Sequence, residues 1–73
     1  MGDPVTIELT GDEALVLFEW LADLDTAKIG VGEAEQRVLW SIEAALEKSL
    51  VEPFAKNYVE LVERARRRIL AGE

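Results

Sequence analysis

The stretch Thr10-Gly11-Asp12-Glu13-Ala14-Leu15-Val16-Leu17-Phe18-Glu19-Trp20-Leu21-Ala22-Asp23-Leu24 decides the fold. Thr10 and Glu13 stand at capping-box spacing, in which the threonine side chain takes a hydrogen bond from the third residue's N–H and the glutamate reaches back to the cap. Asp12 and Glu13 also set negative charge at the positive end of a helix dipole. A helix is therefore predicted over about 11–24. From Ala14 to Leu24 only Glu19 and Asp23 are polar. On a wheel of 3.6 residues per turn the apolar side chains fill roughly 220°, far more than the ~100° stripe that faces a single core. Such a helix has to be covered on more than one side.

Upstream, Val5-Thr6-Ile7-Glu8-Leu9 alternates apolar and polar residues, the period of a half-buried strand. A strand over about 5–9 needs a neighbour for its backbone groups. The candidates are Lys28 to Val31, the same strand of a second copy, or the edge of a partner's sheet; otherwise the segment is an extended arm lying on the helices. Downstream, Asp25 to Gly32 holds Asp, Thr and two glycines and reads as a loop. Glu33 to Leu50 reads as a second helix. Pro53 cannot continue it and restricts Glu52 before it. A third helix is predicted over about 54–71, ending near Gly72. The expected fold is mostly α: a compact three-helix single domain over 1–73 with one short N-terminal β-strand.

The helical wheel assigns faces. In the third helix Ala55, Tyr58, Val59, Val62, Ala65 and Ile69 are predicted to face inward. In the second, the inner face is Ala34, Val38, Leu39, Ile42, Ala45, Leu46 and Leu50. Trp40 falls nearly opposite, among Glu33, Gln36, Arg37, Glu43 and Glu47. Either a neighbouring segment folds over its indole, or it is an anchor for a partner. With the crowded first helix this marks Leu17, Trp20, Leu21, Leu24 and Trp40 as the candidate partner interface.

Composition narrows the chemistry. A 73-residue chain without cysteine or histidine has no disulfide and no Cys/His metal site. A domain this small buries only about 60% of its unfolded surface; of the usual helpers a hard, all-oxygen metal site remains open, and the expected one is another protein chain. The net charge is −7. It is uneven: residues 1–52 hold twelve acids and three bases, residues 53–73 three acids and five bases. Phosphate repels such a chain, so no direct nucleic-acid partner is expected. A basic protein surface would attract it. The longest uncharged apolar run, Ala14 to Phe18, is far short of a membrane span. The start of the chain lacks the basic region of a signal peptide, and the expected compartment is the cytoplasm.

No catalytic, cofactor or metal residue is assigned. Glu43 and Glu47 are one turn apart, as are Glu19 and Asp23, which is also the ordinary pattern of a solvated helix face. Ser41 and Ser49 have no histidine to activate them. Gly30-Val31-Gly32 lacks the lysine of a phosphate loop. Arg64, Arg66, Arg67 and Arg68 form the one basic cluster: either a contact for an acidic partner or phosphate, or helix chemistry, cations near a C-terminus with Glu60 and Glu63 four residues before Arg64 and Arg67.

The run from Ile7 to Leu21, the run Gln36-Arg37-Val38-Leu39-Trp40 and the run Leu46-Glu47-Lys48-Ser49-Leu50-Val51-Glu52-Pro53-Phe54 resemble a group of short, uncharacterised bacterial proteins. The resemblance covers most of the chain outside 25–32. It implies a bacterial, cytoplasmic, stand-alone small protein and carries no activity.

The expected function is that of a non-enzymatic, small acidic protein-binding module such as an antitoxin, an immunity protein or an inhibitor. The alternative is a homodimeric structural or scaffold module. In both the partner is another protein chain, a second copy or a basic protein, and the working state is an oligomer.

Overall fold

The computed structural model describes residues 2–24 and 26–72. Asp25, part of the expected loop, lies outside the described residues. The fold is mostly helical. Helix α1 runs Gly11–Asp23, a single turn α2 Thr26–Ile29, α3 Glu33–Ser49 and α4 Tyr58–Leu70, with a 3₁₀ turn Glu52–Phe54 between the last two.

The capping box forms as the spacing predicts. Glu13 N–H donates to Thr10 Oγ1 at 3.1 Å and Thr10 N–H donates to Glu13 Oε1 at 2.8 Å. The chain leaves α1 at Leu24, whose backbone is extended. Gly30 stops α2 with φ 69°, a left-handed value that side chains with a Cβ disfavour. Pro53 opens the 3₁₀ turn, and Ala55 is extended after it. Helix α4 therefore starts at Tyr58, later than the predicted 54.

Helix α1 is central. It packs against α4 and against α3, while those two touch each other little. Its wide apolar arc is thus covered on two sides within the chain. The core gathers Leu15 and Phe18 of α1, Leu50 after α3, and Val62 and Ala65 of α4. Each large side chain so buried contributes about 1.5–3 kcal/mol. Ala14, Val16, Leu46, Tyr58 and Leu61 pack around them. On α4 the inward face is Tyr58, Leu61, Val62 and Ala65; Val59 and Ile69, predicted inside, are exposed.

The N-terminal strand is not seen. Residues 2–9 hold no regular structure, and Val5 and Ile7 are 89% and 73% exposed. The alternation is real, but a strand persists only where a second extended segment supplies donors and acceptors. Lys28 and Ile29, the intended partner within the chain, are wound into α2.

The domain closes tightly around α1 and opens on the α3 side. Its surface is 6007 Å², against about 4500 Å² for a close-packed monomer of this mass. Its radius of gyration is 13.7 Å, against about 11 Å expected for a chain of this length. Among the described residues no helix is long and apolar enough to cross a membrane.

Candidate protein-binding surfaces

Helix α3 meets α1 through one edge of its apolar arc. Leu39 and Leu46 are half-buried and Leu50 is buried. The rest of the predicted inner face is exposed: Ala34, Val38 (58%), Ile42 and Ala45. The cause is geometric. The arc from Leu50 through Leu39, Ile42 and Val38 to Ala34 spans roughly 160° of the wheel, and one neighbouring helix covers only ~100° of it.

Beside this face lies a groove of about 500 Å³ lined by Trp20, Leu24, Ile29, Val31, Ala34, Glu35, Val38 and Leu39. Apart from Glu35 its walls are apolar. Helix α1 supplies Trp20, which is 55% exposed. The linker through α2 supplies Ile29 and Val31. The groove and the α3 face form one continuous apolar surface.

Of the five expected interface residues, the structure brings Trp20 and Leu24 together in this groove. Leu17 is half-buried and Leu21 is buried within the chain. Trp40 stands elsewhere, 59% exposed, in a shallow depression with Glu33, Gln36 and Arg37. Among the described residues, those lining this depression all belong to α3. The helix spacing places it on the opposite side of α3 from Val38 and Ala45. Sequence reasoning missed Ile29, Val31, Val38 and Ala34 as groove residues. The signal was present in the breadth of α3's apolar arc.

The polar contacts are structural. Tyr58 Oη donates to Glu19 at 2.7 Å, and partial burial with this carboxylate neighbour pushes the phenol well above its ordinary pKa. Arg64 pairs with Glu60 at 2.7 Å, as the spacing predicts. Glu63 pairs with Arg66 at 2.6 Å, where the spacing had suggested Arg67. Arg68 reaches across to Asp12, and its hydrogen bond holds that carboxyl below the usual range. Among the described residues no three acidic side chains converge as a metal site.

No family model, curated protein or solved structure matches this chain. What the site defines is a class of surface, apolar and uncovered, on a small acidic helical scaffold.

Proposed function

We propose that this chain is a non-enzymatic, acidic protein-binding module whose work is to cover or regulate another protein, in the manner of an antitoxin, an immunity protein or an inhibitor. One observation carries the reading: the surface exceeds that of a close-packed monomer by about 1500 Å², and Val38, Ile42, Trp20, Ile29 and Trp40 supply apolar area to it. Leaving such side chains in water forfeits roughly 1.5–3 kcal/mol for each that a partner would bury. The reading takes the cytoplasm as the compartment and a basic protein surface as the partner. Trp40, beside Glu33 and near Glu43 and Glu47, suits such a surface: an aromatic anchor with acidic neighbours that speed encounter.

A homodimeric structural module is the second reading. It is favoured by the face of α3, which is bordered by one acid, Glu35, and one base, Lys48, so that two copies meet there without like-charge repulsion. Sedimentation at micromolar concentration together with binding of an apolar dye tests the common ground of both. Association, or dye binding by the monomer, is expected. A dye-silent species of 8.1 kDa would overturn the proposal.

A further inference from the structure

Residues 2–9 take part in none of the backbone–backbone hydrogen bonds among the described residues. This arm has a specific reading, which rests on the proposal that the chain works bound to another protein chain. We infer that the arms of two copies pair with each other, forming an antiparallel two-stranded ribbon over residues 5–9 with Ile7 at its two-fold axis.

The backbone sets the limits of the ribbon. An antiparallel pair exchanges two hydrogen bonds at alternate pairs of opposed residues. With Ile7 opposite Ile7 of the second copy, the bonded pairs are 5 with 9, 7 with 7 and 9 with 5. This ladder uses the N–H groups of Val5, Ile7 and Leu9. It requires neither the N–H that Pro4 lacks nor the Thr10 N–H, which already donates to Glu13 Oε1 at 2.8 Å. Pro4 closes one end of the strand and the capping box of α1 closes the other.

The side chains complement themselves in this same register. Val5, Ile7 and Leu9 of one arm meet Leu9, Ile7 and Val5 of the second, so apolar residues are paired across the whole strand. On the other face Glu8 meets Thr6 of the second copy, and Thr6 meets its Glu8. This matters in a chain of net charge −7. A slip of two residues in one direction, or a parallel pairing in register, puts Glu8 beside Glu8 of the second copy. A slip of two in the other direction sets Leu9 level with Asp3, and a slip of one turns the apolar side chains onto Thr6 and Glu8. Asp3 falls outside the ladder, level with the start of α1 of the second copy, where Asp12 is already held by Arg68. A match of the arm to itself, unlike a match to an unrelated sheet edge, selects a second copy.

A bare two-stranded ribbon is marginal in water and needs cover on its apolar face. Each end of this ribbon is the root of one arm. Beside that root a recess of about 230 Å³ is lined by Thr10, Asp12, Glu13, Arg68 and Ile69. Ile69 and the Leu70 that follows it are exposed. They offer apolar surface next to the Leu9 end of each strand, which gives a use to an isoleucine that the helical wheel had turned inward.

In sedimentation at micromolar concentration the unaltered protein should have twice the 8.1 kDa mass of one chain. Ile7→Pro keeps the arm extended but removes the donor at the axis from both copies. It should weaken the dimer about 30-fold or more with helicity unchanged, and Asp3→Pro, outside the ladder, should not. Thr6→Lys sets a base against Glu8 and should tighten the dimer about 5-fold relative to Ala44→Lys, which changes the net charge equally. Thr6→Glu should weaken it by about the same factor. A dimer indifferent to Ile7→Pro, or one that Thr6→Lys and Thr6→Glu alter alike, would overturn the paired arms. A monomer that binds an apolar dye would overturn them and leave the protein-binding reading standing. A dye-silent monomer would overturn both.

Discussion

Arg68, near the end of α4, holds Asp12, in the first turn of α1, with two parallel hydrogen bonds: Nε to Oδ2 at 2.8 Å and Nη2 to Oδ1 at 2.7 Å. The two residues are 56 positions apart. The pair fastens the ends of the two helices that share the core, and its forked geometry fixes their relative rotation.

Asp12→Asn should lower the melting temperature at neutral pH, and the gap should shrink with added salt because the pair is near the surface. The sign with pH follows from the depressed carboxyl. Folding favours the ionised form, so the stabilisation is present above the ordinary aspartate pKa and is lost as pH falls through the lower folded value. Melts of both proteins from pH 7 to pH 2 should therefore converge below about pH 4. A gap of constant size would assign the loss to something other than the ion pair.

Tyr58→Phe removes the phenol's bond to Glu19 and should cost about 1 kcal/mol, read by urea titration. The phenol's pKa is raised by burial first and the carboxylate second, so folding favours the neutral form. That contribution is complete below about pH 10 and fades as pH rises through the higher folded value. The phenylalanine variant should lack this alkaline decline from residue 58.

Leu15 and Val59 separate the true core from the wheel's expectation. Leu15 is buried and Val59 is exposed. Leu15→Ala should cost about 2–5 kcal/mol, enough to melt a domain whose whole stability is about 5 kcal/mol. Val59→Ala should stay within about 0.5 kcal/mol. Circular dichroism at 25 °C distinguishes them, and equal losses would mean that α4 is rotated from the orientation described.

Trp40→Ala should leave helicity intact, because the indole stands 59% exposed in a depression lined by α3 residues and faces away from Val38. Affinity for a protein partner should fall by about 2 kcal/mol or more, measured by calorimetry. Helix content lost in parallel with binding would show that the indole is a structural residue.

Local signals were legible in the sequence. The capping box of Thr10 and Glu13, the stop after Ser49, the break at Pro53 and the Glu60–Arg64 pair are interactions between residues a few positions apart. Their geometry follows from helical spacing alone. The breadth of α1's apolar arc likewise announced a helix covered on two sides, and it is. The face assignments were less legible. Leu61 and Val59 lie on opposite margins of α4's apolar arc, and which margin turns inward depends on where α1 sits.

Chain chemistry by itself therefore determined the three long helices, the start of α1 and the absence of thiol and imidazole chemistry. Tertiary packing alone decided that residues 5–9 stay unpaired and that α3 touches α1 by one edge. It also decided that Trp20 and Leu24 meet Ile29 and Val31 in a groove, and that Asp12 meets Arg68. The physical reason is the range of the forces. Helix spacing and capping act within about a turn, whereas a strand's partner, a buried face and a long-range ion pair exist only once distant segments share one place.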